Sequence, residues 1–278
     1  MNYSLIDHNT YKCSQKYLHS IYLLTNGVTE KAYGCVPNGE IGISIILQGE
    51  SHIKQNDGWI KQPEVSIYGL LKQVQFHKMS PHYIEINLGF NPHYLQLFMR
   101  ASMSSLLQRN ATNLYDLFPK DRTDLLYEDL IKYKTNEDIQ WAAERFLMAS
   151  LLNEKVDERI AGAFDLIVQN KISQVDALSH QLNISSTGLR NLFREQVGIS
   201  PKDLMKIQRI KSALHFKFTK EGSLTDLAYQ LGYYDQSHFI HDFKEAIGLT
   251  PKQYFSNDQL TFDFYNFGRW NYDSFAAQ

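Results

Sequence analysis

Two stretches of this chain, 189-LRNLFREQVGISPKDL-204 and 227-LAYQLGYYDQSHFIHDFKEAIGLTPKQY-254, share one arrangement of residues offset by fifty positions. Both run into the same punctuation, 198-GISPK-202 and 248-GLTPK-252. Glycine ends a helix, an aliphatic residue tucks back, and Ser or Thr before Pro starts the next helix. Upstream of each lies a short helix. Val175, Leu178 and Leu182 mark its buried face in the first copy, and Leu224, Leu227, Ala228 and Leu231 in the second. Asn183 and Gly232 supply turn residues that tolerate left-handed geometry. Leu189, Leu192 and Phe193, then Phe239 and Phe243, anchor the helix that follows. Ser179 and Ala228 fall where two helix axes cross and leave room for close approach. A short helix, a tight turn and a crossing second helix make a helix-turn-helix unit.

Ser173 with Asp176, and Ser223 with Asp226, read as Ser-x-x-Asp helix starts, with the hydroxyl taking an orphan amide. Between the units, 202-KDLMKIQRIKSALHFKF-218 reads as one continuous helix. Stacked helical repeats need three or more copies to bury a core, whereas here there are two.

Charge is a weak guide. The formal net charge of the 278 residues is -2. Residues 171–255 hold 11 Lys and Arg against 8 Asp and Glu, a local excess of +3, while the first 153 residues hold 14 against 15. The longest apolar run, Ile41–Leu47, is far short of the ~20 residues a membrane span needs. The start, MNYSLIDHNT, lacks the pattern of a signal peptide, and Cys13 and Cys35 provide neither a disulfide framework nor a zinc set. The expected setting is a reducing cytoplasm with no membrane partner.

Residues 1–135 read as a β-rich unit followed by helices. Ile41–Leu47, Val65–Leu71 and Tyr83–Leu88 are strand-like, and Asn-Asp-Gly in 50-ESHIKQNDGWI-60 suits a hairpin turn. From Pro92 the apolar spacing of Tyr94, Leu97, Phe98, Leu106 and Leu107 turns helical. In residues 136–160 an amphipathic helix begins, with Ile139, Ala142, Ala143, Phe146, Ala149 and Ser150 on one face. That face either packs on its own domain or pairs with a second chain. The tail 260-LTFDFYNFGRWNY-272, within residues 256–278, either packs on one of the two domains or covers an apolar patch.

The fold class expected is α+β: a β-rich N-terminal domain with trailing helices, then an all-α domain of two helix-turn-helix motifs on a linker helix at 161–255. The second motif, Leu227-Ala228, Leu231-Gly232-Tyr233, Asp235-Gln236-Ser237-His238-Phe239, Phe243-Lys244, Gly248 and Pro251, resembles the signature of the AraC/XylS family of bacterial transcription regulators. The first domain is similar, more distantly, to the β-rich sensor domains that precede it in the family, with 37-PNGEIGISIIL-47 the most suggestive stretch. The resemblance implies double-stranded DNA as partner, with RNA polymerase, a small-molecule effector and a second copy of the chain as further partners, in the bacterial cytoplasm at the nucleoid. It implies no cofactor. Thr187, Arg190 and Asn191 in the first unit, and Gln236, Ser237, His238 and His241 in the second, match the base-reading positions. Arg190 suits guanine and Gln236 adenine. Arg194, Lys202, Lys244 and Lys252 suit phosphates.

Three positions depart from the pattern. Gly188 falls inside the first recognition helix, where it costs about 1 kcal/mol relative to Ala. His241 and Phe255 stand where relatives carry Arg. The alternative, an enzyme-like or metal-binding N-terminal domain fused to a DNA-targeting domain, finds little support. His77, His82 and His93 fit no ligand spacing, and neither a nucleophile–base pair nor a phosphate loop can be read in the chain.

Overall fold

The computed structural model describes residues 2–7, 10–56, 58–99, 103, 111–152, 155–216, 223–256 and 270–271. Its strands are β1 (Asn2–Ile6), β2 (Leu18–Thr25), β3 (Lys31–Cys35), β4 (Ile41–Gln48), β5 (Ser51–Gln55), β6 (Gly58–Lys61), β7 (Val65–Tyr68), β8 (Gln75–Met79), β9 (Ile84–Phe90), β10 (Thr112–Asn113) and β11 (Trp270–Asn271). Its helices are α1 (Lys12–Tyr17), α2 (Pro92–Leu95), α3 (Lys120–Ile131), α4 (Asn136–Ser150), α5 (Glu158–Val168), α6 (Val175–Gln181), α7 (Ser186–Gln196), α8 (Pro201–Phe216), α9 (Leu224–Gln230), α10 (Gln236–Ile247) and α11 (Pro251–Phe255). The α+β architecture expected from the sequence is present.

Two antiparallel sheets face each other, one in the order β1-β2-β9-β4-β7-β10 and the other β11-β3-β8-β5-β6. Alternation along the central strands gives the first sheet two unlike faces. Ile41, Ile43 and Ile45 of β4, with Ile86, Leu88 and Phe90 of β9, enter a large apolar core on the helical side. Ser44, Glu85 and Asn87 point the other way, toward the second sheet, and are also buried. At Asn-Asp-Gly, β5 and β6 pair Gln55 with Gly58, and Asn56 takes the positive φ of 45° that the hairpin needs.

Some boundaries differ from the sequence reading. β7 stops at Tyr68, and beyond it Leu70 enters the apolar core of the helical side while Leu71 lies between the sheets. β9 runs on to Phe90. Leu106 and Leu107 lie outside the described residues. The apolar face of α4 packs within the chain, against α1 and α3, with Ala149 only half-buried and Leu147 taking its place in the core.

The core does not divide where the sequence suggests a domain boundary. One apolar cluster runs from β4 and β9 through α4 and α5 into Leu189 and Phe193 of the first helix-turn-helix unit. A second cluster joins Phe239, Phe243 and Tyr254 of the second unit to Ile210 and Leu214 of α8, and it includes Val36 from the N-terminal domain. Polar ties cross the same seam. Gln96 Nε2 donates to Gln196 Oε1 at 3.2 Å, and the Val74 amide donates to the Ala246 carbonyl at 2.7 Å. Lys72 Nζ lies 2.8 Å from Asp203 Oδ2.

Burial opposes the charge on Asp203, but hydrogen bonds from Lys72 and Ser200 outweigh it and hold the carboxyl below its ordinary range. A depressed carboxylate contributes stability above its unfolded pKa and loses it as pH falls through the folded value. The melting-temperature gap between this protein and Asp203→Asn is therefore expected at neutral pH and should close on acidification through that range. An unchanged gap would show that the ion pair contributes nothing.

Candidate nucleic-acid interface

Each helix-turn-helix unit is assembled by local hydrogen bonds that its sequence supplies. In the second, Ser223 and Asp226 form a reciprocal capping box on α9. Gly232 makes the turn at φ 76°, and the Asp235 carboxylate accepts from the His238 amide to start α10. In the first, Asn183 makes the turn at φ 52° and Ser185 accepts from the Gly188 amide to start α7. Ser179 Oγ donates to the Asp176 carbonyl and meets Ser186 Oγ at 3.1 Å, so the small residue at the crossing also ties the two helices. Gly198 and Gly248 end α7 and α10 with φ of 91° and 82°.

Two readings of the sequence need correcting. Ser173 does not cap α6: the N-cap is Gln174, which makes no side-chain cap, and Asp176 instead accepts from Ser186 Oγ at 2.9 Å. Gly188 sits in the first turn of α7, not its interior. A Cβ there would meet Ile184 Cγ2 at 3.1 Å and Ser185 Oγ at 3.2 Å, so the glycine relieves crowding at the cap.

The base-reading positions expected from the sequence mostly reach solvent. Thr187, Arg190 and Asn191 are exposed on α7, and Ser237, His238 and His241 on α10. Arg190 Nε donates to the Ser186 carbonyl at 3.0 Å, which steadies the guanidinium and leaves its terminal nitrogens for a partner. Gln236 is different. It is half-buried, and its Oε1 accepts from Thr225 Oγ1 at 2.9 Å. A bidentate contact with adenine uses both ends of the amide, and here one end already holds α9. Arg194, Lys202, Lys244 and Lys252 are all exposed, the last near the N-terminus of α11.

Behind α10, Lys206 of α8 lies 2.9 Å from Asp242 and 2.7 Å from Glu245. Burial works against the Lys206 charge, but its hydrogen bonds to Glu245 and Asp242 prevail and raise its pKa. Asp242 also has His238 at 3.7 Å and His241 at 3.9 Å. His241, Asp242 and Glu245 bring ligand-type atoms within 4.8 Å of one another, but Lys206 already occupies the two carboxylates.

Tyr234, 87% exposed just before the Asp235 cap, joins this surface without having been expected there. The sequence shows only a Tyr-Tyr pair, and nothing local says which ring is buried. Tyr233 is the inner one, 4.5 Å from the Arg209 guanidinium. Phe255, where an Arg was expected, packs 5.8 Å from Phe243 and serves the core.

Residues 178–257 match the family model of a helix-turn-helix domain. The HTH-type transcriptional regulator YtdP of Bacillus subtilis is 22% identical over 174 residues, covering 59% of this chain and 22% of its own length. The HTH-type transcriptional activator RhaS of Escherichia coli is 30% identical over 77 residues, 28% of each chain. This chain thus spans less than a third of either relative. Among solved structures, ToxT from Vibrio cholerae aligns over 84% of this chain and 98% of its own at 14% identity, with a TM-score of 0.44.

Proposed function

We propose that the chain is a sequence-specific regulator of transcription of the AraC type, a reading supported by the match of residues 178–257 to the model of a helix-turn-helix domain. In this reading α7 and α10 enter two successive major grooves on one face of the duplex, about 34 Å apart. One chain then does what two copies of a single-motif protein would do. The observation that carries the proposal is the pairing of two reading helices, each with its polar residues outward, on the single rigid rod of α8. The N-terminal domain is the control element, answering to a small molecule, to a second copy of the chain, or to both. Trp141 and Met148, 48% and 66% exposed on the outer side of α4, support self-association there. Regulation is exerted on RNA polymerase in the bacterial cytoplasm.

The test is fluorescence anisotropy on duplexes that the protein selects from a random pool. Arg190→Ala is expected to weaken binding by about 1–3 kcal/mol, roughly 5- to 150-fold, and to relax preference at one base pair. Gln236→Ala should have the smaller effect, because its carbonyl oxygen is held by Thr225. Neutralising any of Arg194, Lys202, Lys244 or Lys252 should flatten the salt dependence by about one unit of slope and leave the preferred sequence unchanged. Unaltered preference in the Arg190/Gln236 double variant would overturn the contact assignment. Salt-independent binding would overturn the phosphate contacts.

A further inference from the structure

Between the two sheets of the N-terminal domain lies a cavity of about 60 Å³. By volume it holds roughly four to six water-sized positions. Its lining carries two buried carboxylates. Glu40 and Glu85 are 7% and 5% exposed, and the described residues around them include Asn87, Ser44, Gln62 and Tyr68 but neither Lys nor Arg. Glu85 accepts from Ser44 Oγ at 2.5 Å, and Glu40 has His19 Nε2 at 3.4 Å. The Tyr68 hydroxyl is pushed well above its ordinary pKa first by burial and then by Tyr22, Glu40 and Glu85, so both carboxylates act on the same spot. Asn87, 2% exposed, has an amide nitrogen with no partner.

Buried carboxylates without a full counter-charge are costly, and a buried unpaired amide adds a smaller cost of its own. One ligand chemistry answers both. We propose that this cavity binds a small ammonium compound that also carries an acceptor oxygen, its cation at Glu40 and Glu85 and its oxygen at the Asn87 amide. A carboxylate ligand of the same size would meet two like charges and is excluded by the same geometry.

The lining also explains how such a ligand reaches the DNA-reading half, an extension that rests on the control role assigned above to this domain. Val36, Asn38 and Glu40 line the cavity, and between them the chain presses on α8. Val36 belongs to the core of the second unit, and a Cβ on Gly39 would lie 2.9 Å from Gln208 Nε2. On the other side, Gly69, Leu71 and Gln75 line the cavity and flank Lys72 and Val74, which bind Asp203 and Ala246. Two wall segments of the cavity thus also grip α8 and α10.

Thermal-shift titration of the full chain with ethanolamine at constant ionic strength tests the site, with acetate and glycerol as size-matched controls. Ethanolamine should raise the melting temperature saturably, acetate should not, and Glu85→Gln should weaken the apparent affinity at least tenfold. If Glu85→Gln fails to fold because Ser44 leans on it, Glu40→Gln carries the same expectation. Equal shifts from glycerol or acetate, no shift from ethanolamine, a shift from ethylamine as large as that from ethanolamine, or undiminished affinity in Glu40→Gln would each overturn the proposal. Anisotropy on a selected duplex then separates the layers. Ligand binding that leaves DNA affinity unchanged refutes the coupling through residues 36–40 and 69–75. A ligand shift in a protein that selects no duplex supports the site and refutes the regulator reading.

Discussion

Replacing Phe243 with alanine is expected to unfold the second reading unit before it weakens anything else. The ring is fully buried, 5.7 Å from Phe239 and 5.6 Å from Tyr254, and the same cluster takes in Ile210 and Leu214 of α8. Phe→Ala in such a core costs about 3–5 kcal/mol. The first unit belongs to the other apolar cluster, so its helices should survive. The measurement is hydrogen exchange resolved by segment. Protection should collapse over 224–255 and persist over 175–199, with DNA affinity falling to that of one unit. Phe243→Leu, which keeps most of the volume, should retain both. Uniform loss of protection across the two units would mean that they fold as one body.

The second large effect is expected far from the DNA-reading helices. α1 begins at Lys12 without a side-chain cap of its own. Its first turn is capped by Glu144 of α4, 9% exposed, which accepts from the Cys13 amide at 3.0 Å, the Ser14 amide at 2.8 Å and Ser14 Oγ at 3.0 Å. Glu144→Ala leaves those donors buried and unmet, a loss of about 3 kcal/mol. Glu144→Gln, which keeps one acceptor oxygen, should lose less. A denaturant titration reads both, and near-wild-type stability of Glu144→Ala would show that water reaches the vacated site. Burial, and after it the same carboxylate, pushes the Cys13 thiol up, so that cysteine is expected to react slowly with alkylating agents.

The helical half was legible because its information is local. Turn residues, caps and terminators act within four or five positions, and Asn183, Gly232, Ser223, Gly198 and Gly248 all take the conformations their identities require. Where the reading failed, at Ser173, the deciding partner was Ser186 on the next helix, which took Asp176 away from the cap. The β-rich half was legible only as strands. Its chemistry depends on which face of β9 looks inward, and the string IEINLGF does not say that Glu85 and Asn87 share a cavity with Glu40 from the connection before β4. Nor could the sequence show that Gln236 is tied to Thr225, since that pair forms across the turn only once the two helices cross.

The short strand β11 changes what can be exchanged among such proteins. Trp270 and Asn271 pair with Gly34 and Tyr33 at the outer edge of the second sheet, so the chain leaves the N-terminal domain, builds both reading units and comes back. A hybrid made by joining the first 150 residues of one regulator to the remainder of another would bring a foreign edge strand to the host's sheet. Swapping the helix-turn-helix half alone therefore carries over part of the β-rich half, and a faithful chimera needs two junctions, one before α5 and one before β11.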